Sequence, residues 1–316
     1  MTIRIGISGW RYSGWRGVFY PEGLAQKREL EFASRAVDTI EINGSHYSLQ
    51  TVESYLSWYD ATPRNFLFSV KGPRYLTHML RFRDETARPA MANFFASGVL
   101  ALREKLGVFL WQFPPNFAFV PESFEAFLAL LPVDFASAAQ FAAQHDARVS
   151  HPWFSVDVNR RLRHAIEIRH PSFCTPGFVA LLRKYKAALV ISDSTAGWPY
   201  GEDVTSDFVY LRLHGSETLY SGAYADATLE RLAARIDAWA HGGEPHDAVR
   251  FAPKPATRRR SRDVLVYFDN DTKVEAPFDA ARLKARLDQP AQSPTETPLR
   301  QRVRRAARTP LPHKPA

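Results

Sequence analysis

The sequence predicts a single (β/α)8 barrel of the TIM type, an α/β fold, and three observations predict it. Short runs rich in β-branched and aromatic residues alternate with segments of helical periodicity as far as residue 288. Eight such runs can be counted along the chain. Ionisable and amide side chains gather towards the carboxyl ends of those runs, the face on which barrels of this kind build their sites.

The eight predicted strands are Ile3–Ser8, Thr39–Asn43, Phe66–Lys71, Val108–Gln112, Ala165–Arg169, Leu189–Asp193, Phe208–His214 and Val264–Asp269. Between them, Val52, Tyr55, Leu56 and Tyr59 form one helical stripe, Phe178, Leu181, Leu182 and Tyr185 a second, and Leu229, Leu232, Ala233, Ile236 and Trp239 a third. Thr175 precedes Pro176, and Pro89, Pro121 and Pro277 each sit where a first helical turn begins. Two places depart from an ideal barrel. Residues 194–207, between strands six and seven, hold Gly197, Pro199 and Gly201 and read as too short and broken for a helix. Residues 132–163 form an insertion between strands four and five, with an extra helix expected over Ala136–Gln144. The barrel domain is read as 1–288. Beyond it, 289–316 is rich in Pro, Arg and Thr without apolar periodicity and reads as a disordered tail.

Composition supports one large core: 316 residues, 45% hydrophobic and 23% charged. The single cysteine, Cys174, excludes an intrachain disulfide, and no leader or bilayer-spanning run is seen, so a cytoplasmic protein without membrane attachment is expected. The net charge of +8 is not spread evenly. Residues 289–316 carry six basic side chains against one acidic, and 241–262 carry six against two, leaving the rest close to neutral.

Strand alternation orders the polar residues. With Ile40 and Ile42 facing helices, Glu41 and Asn43 point inward; Ile166 and Ile168 likewise leave Glu167 and Arg169 inside, and Leu211 and Leu213 leave Arg212 and His214 inside. Lys71, Gln112, Asp193 and Asp269 fall at the last inward position of their strands or beside it. Ionisable groups covered on both sides need a partner or a purpose. Glu41, Glu167, His214 and Asp193 are therefore the candidate acid–base groups. Asn43, Lys71, Arg169, Arg212, Gln112 and Asp269 are candidate ligand-binding residues, the alternative being a mutually satisfied ion network. Loops on the same face add Trp10, from Gly9–Trp15, and the cationic Lys71–His78 segment with His78; Gly215–Asp226 reads as a candidate lid.

These segments resemble the YecE-like family, a widespread family of unknown function with a barrel fold. The resemblance is carried by Gly6-Ile7-Ser8-Gly9-Trp10 with Trp15 and Phe19-Tyr20-Pro21, Glu41-Ile42-Asn43 with Tyr47, Lys71 with Thr77-His78, and Gln112-Phe113-Pro114-Pro115. It continues through Glu167-Ile168-Arg169-His170-Pro171, Asp193-Ser194, Tyr210 to Gly215, and Tyr267-Phe268-Asp269-Asn270. Tyr47 and Asn270 join the candidate binding residues on these segments. The insertion at 132–163 and the Asp269-Asn270-Asp271 turn resemble a longer subgroup. The resemblance implies the barrel and no reaction, because fold does not carry function.

Three functions compete. The first is an enzyme acting on a small anionic or polyhydroxylated molecule, oriented by Lys71, Arg169 and Arg212. The second is a metal-dependent hydrolase or isomerase in which Glu41, Glu167, Asp193, His214 and Asp269 collect a divalent metal, although no cofactor or metal motif is identified. The third is weak nucleic-acid or polyanion binding through 241–262 and 289–316, which leave the barrel at the amino-terminal face, opposite the polar rim. A dinucleotide fingerprint and a P-loop are absent, a glycosidase would need Glu41 and Glu167 suitably spaced, and Cys174 is a weak nucleophile candidate.

Overall fold

The computed structural model describes residues 1–80 and 87–288. Its eight strands are β1 (Ile3–Ser8), β2 (Thr39–Ile42), β3 (Leu67–Lys71), β4 (Leu106–Gln112), β5 (Arg163–Glu167), β6 (Ala188–Asp193), β7 (Phe208–Leu213) and β8 (Asp263–Phe268). Each pairs in parallel with the next, and β8 returns to β1, so the sheet closes as a barrel. Asn43, Arg169, His214 and Asp269 stand just beyond their strands, on the carboxyl-terminal rim. The ladder still reaches the last two, because the His214 amide donates to Asp193 O and the Asp269 amide to Leu213 O.

The helices are α1 (Glu29–Ala36), α2 (Gly44–Tyr47), α3 (Val52–Ala61), α4 (Ala87–Ala96), α5 (Pro121–Leu130), α6 (Phe135–Ala142), α7 (Pro176–Tyr185), α8 (Asp226–Ala240) and α9 (Glu275–Leu287). The three apolar stripes fall on α3, α7 and α8. Thr175 caps α7, accepting from the Phe178 amide, with Pro176 at the first helical position. The insertion holds α6, started by a capping box between Asp134 and Ser137 and packed against α4. Residues 194–207 contain no helix. The tail at 289–316 lies outside the described residues.

Two apolar layers result from strand alternation. Outward residues such as Ile5, Ile7, Ile40, Ile42, Ile166, Leu211 and Val266 pack under the helices. Inward residues Val108, Leu110, Ala165, Ala188, Val190, Phe208, Tyr210, Leu265 and Tyr267 fill the barrel interior. Above them comes a hydroxyl layer, where the Tyr267 hydroxyl meets Thr39 Oγ1 at 2.8 Å and Ser69 Oγ at 2.6 Å. Charged side chains come last, nearest the rim. Among the described residues, no helix is long and apolar enough to cross a membrane.

Candidate functional site

Arg212 stands at the centre of the charged layer. Its Nε and Nη2 donate to Glu41 Oε2 at 3.1 Å and Oε1 at 2.9 Å, its Nη1 to Glu167 Oε2 at 2.8 Å, and its Nη2 also to Asp269 Oδ2 at 2.8 Å and Ser8 Oγ at 3.1 Å. Glu41 is completed by Tyr210, whose hydroxyl donates to Oε2 at 2.7 Å, and by Ser8, whose hydroxyl donates to Oε1 at 2.8 Å. Glu167 Oε1 receives Arg169 Nε at 2.8 Å. Burial alone would raise the Glu167 carboxyl, but Arg212 and Arg169 outweigh it and hold the group well below the usual carboxylate range. Burial would also discharge Arg212, yet Asp269, Glu41 and Glu167 keep it firmly protonated.

Glu41, Glu167 and His214 are fully buried. His214 Nδ1 lies 3.0 Å from Asp269 Oδ2, although neither ring nitrogen makes a well-aligned hydrogen bond. Its ring packs edge-on against Trp198 and Tyr220, and Trp198 also carries the Arg169 guanidinium 3.5 Å above its ring. Asp193 has the outward parity, alternating with the inward Ala188 and Val190; burial raises its carboxyl, and Tyr224 stands beside it. Gln112 and His78 meet at 3.3 Å. Burial, helped by Lys71 and Arg74, lowers His78 to about 4. Asn270 is structural in its contacts: its amide donates to Gly222 O and Asp279 Oδ2, both at 2.9 Å, which ties the Gly215–Asp226 loop to α9.

Over this network opens a cavity of about 450 Å³, within the size range of small-molecule sites. Six of the residues singled out from sequence line it: Trp10, Asn43, Tyr47, Lys71, Arg212 and Asp269. Glu41, Glu167, His214, Asp193, Arg169, Gln112, His78 and Asn270 do not line it. The rest of the wall includes Arg11, Tyr12, Gln50, Trp58, Tyr220 and Asp271, none of which alternation could single out, because loops and helix ends have no period of two. Ser8 and Tyr210, by contrast, share the inward parity of Glu41 and Arg212, and that signal was present.

Lys71 is 8% exposed, and among the described residues its amine makes neither a hydrogen bond nor an ion pair, since Arg212 takes the carboxylates. Burial, reinforced by the Arg212 charge, lowers the amine to about 8. Asp271 moves the opposite way: burial and the Asp269 charge push its carboxyl up to about 6, against the Tyr12 hydroxyl. Glu41, Glu167 and Asp269, three of the oxygen donors a divalent metal would require, point instead at the Arg212 guanidinium. Among the described residues, no three His, Cys, Asp or Glu side chains are grouped to hold an ion. Cys174 is exposed at the surface, its thiol raised by partial burial, which is the opposite of activation.

Comparison with known proteins fits this architecture. The family described as "Protein of unknown function DUF72" matches residues 4–303. This chain belongs to the DUF72 family. The YecE-like resemblance is the same family under another name. The UPF0759 protein YunF of Bacillus subtilis is 30% identical over 121 residues, 36% of this chain and 41% of YunF, so the match spans about two fifths of that relative. A DUF72 protein of Thermotoga maritima superposes with a TM-score of 0.66 at 23% identity, covering 92% of this chain and 100% of the other. A DUF72 protein of Enterococcus faecalis gives 0.65 at 17% identity, covering 92% and 96%. These DUF72 structures share the fold, and at such identities the likeness says nothing of a reaction.

Proposed function

We propose that this protein is an enzyme that moves protons on a small polyhydroxylated carbonyl compound, such as a hydroxyketone or hydroxyaldehyde, held in the rim cavity. One observation carries the reading: Lys71 and Asp271 line the same cavity, stand outside the Arg212 ion pairs, and are both drawn towards neutrality. At pH 7 the Asp271 carboxylate is ionised yet more basic than an ordinary aspartate, which suits it to accept a proton from carbon. The Lys71 ammonium is more acidic than an ordinary lysine, which suits it to stabilise and protonate the developing oxyanion. Gln50, whose amide nitrogen is bound to Ser48, offers its amide oxygen to hydroxyls, and the rings of Trp10, Tyr12, Tyr47 and Tyr220 offer flat apolar faces.

Charge narrows the substrate. Arg212 and Asp269 satisfy each other, leaving Arg11 and Lys71 against Asp271 on the cavity wall, an excess of one positive charge that favours a neutral or singly anionic molecule. The test is incubation of the protein in D2O with hydroxyketones and hydroxyaldehydes from triose to hexose, following loss of the α-proton by NMR. Exchange that disappears in both Lys71→Met and Asp271→Asn supports the assignment. Absence of exchange across the series, with no ligand-induced rise in Tm, defeats it.

A further inference from the structure

A second cavity, of about 420 Å³, opens at the other end of the barrel. Its walls come from the segments that lead into β5, β6, β7 and β8, so it lies on the amino-terminal face. Arg161, Arg183, Lys186, Arg259 and Arg262 line it, with Asp207 as its one acidic residue among the described residues. Asp207 is engaged by Arg161 at 2.8 Å. Arg183 is fixed by the carbonyls of Val204 and Lys254. Among the described residues, neither the Lys186 amine nor the Arg259 guanidinium has a hydrogen bond or an ion pair.

Arg262 adds a buried positive charge to the same wall. It is 2% exposed and donates through Nη1 to Gly243 O and through Nη2 to Thr257 O, but its Nε is buried without a partner. Carbonyl oxygens do not neutralise a buried guanidinium; the Glu244 carboxylate, itself paired with Arg250, offsets part of the charge, and Arg259 places a second positive charge beside it. The turn that carries both is held closely: the Arg259 amide donates to Gly242 O, and a Cβ on Gly242, at φ +77°, would meet Arg259 O at 1.9 Å.

We propose that this amino-terminal cavity binds a small anion carrying two or more phosphoryl groups. Five cationic side chains against one carboxylate exceed what a single phosphate neutralises, and guanidinium groups are matched to phosphoryl oxygens. The residues form a concave cup rather than a stripe along a surface, and among the described residues no aromatic ring lines it for a base to stack upon, so a nucleic-acid strand is the poorer fit. The site shares no residue with the rim cavity and stands or falls separately from the function proposed for it.

The test is calorimetric titration of the full chain with inorganic pyrophosphate at low ionic strength. It is repeated on the double variant Lys186→Glu with Arg259→Glu, on the milder pair Lys186→Ala with Arg259→Ala, and on Lys71→Met. Saturable binding weakened by about tenfold or more in either double variant, and unchanged in Lys71→Met, is the expected result. No binding overturns the proposal. So does an affinity equal to the parent's in both double variants, which would place the anion elsewhere, and so does binding of a short DNA duplex that is lost with the same variants yet is not displaced by pyrophosphate.

Discussion

Arg212 grips Glu41 with two donors, Nε and Nη2, at 3.1 and 2.9 Å, while the two side chains are 1% and 0% exposed. The pair links β7 to β2 across the barrel, and Glu167 and Asp269 draw β5 and the end of β8 to the same guanidinium. Such a network does not strengthen the fold as much as its number of bonds implies, because four charges have lost their water. Removing its hub is another matter. Arg212→Met strands three carboxylates, and a loss of about 3–5 kcal/mol or more is expected in urea unfolding, partly recovered when Glu41→Gln is added. A stability within about 0.5 kcal/mol of the parent would show that the ion pairs are not as drawn.

Lys71 gives a pH signature with a fixed sign. Its amine falls from 10.5 unfolded to about 8 folded, so the unfolded chain holds more protons between those values and stability attributable to this residue rises with pH across that window. Lys71→Met is therefore expected to raise Tm at pH 7, with an advantage that is full below 8 and vanishes towards 10.5. Thermal unfolding of both proteins across that range checks it; a variant less stable at pH 7 than the parent refutes the sign.

The same two groups set the profile of the proposed chemistry. Exchange catalysed by Asp271 as base and Lys71 as acid is expected to rise through about 6 and fall through about 8. Initial rates of deuterium incorporation against pH would give that bell, and a profile flat from 5 to 9 would exclude this pair.

His164 is held neutral inside the outer core. Its Nδ1 accepts from Trp111 Nε1 at 3.1 Å, which leaves Nε2 to donate to Pro132 O at 2.8 Å, so a second ring proton would confront the indole N–H. Burial lowers the ring from 6.5 to about 4. Its contribution is complete above 6.5 and is lost as pH falls towards 4, with a slope of up to about 1.4 kcal/mol per pH unit. Urea unfolding at pH 7 and pH 5 should show a smaller drop in His164→Gln than in the parent.

Gly215 starts the loop that lays Tyr220 on His214. Its φ is +103°, and a Cβ there would meet Ser221 O at 2.3 Å, so both conformation and space exclude a side chain. Gly215→Ala is expected to cost about 1–3 kcal/mol, measurable by urea unfolding of the variant beside the parent.

Strand alternation made much of this readable in the residues themselves. Ile40, Ile42, Leu211 and Leu213 fixed which side Glu41 and Arg212 would face, and the barrel follows from eight such runs. Alternation gives the side of the sheet and not the depth. It could not tell that Glu41 and Glu167 lie sealed beneath Arg212 while Lys71, of the same inward class, meets the open space. Asp193 shows how narrow the margin is, one residue out of step with Val190. Arg11 and Tyr220 reach the cavity from the Gly9–Trp15 and Gly215–Asp226 loops, which composition placed on this face without saying which side chains turn inward, and Gln50 comes from a segment that nothing local marked.

The inward filling of Val108, Leu110, Val190, Phe208 and Leu265 turns the barrel into a vessel with a solid floor. A molecule that comes into the upper chamber therefore goes out by the same doorway, because the packed interior leaves no route through the body of the barrel.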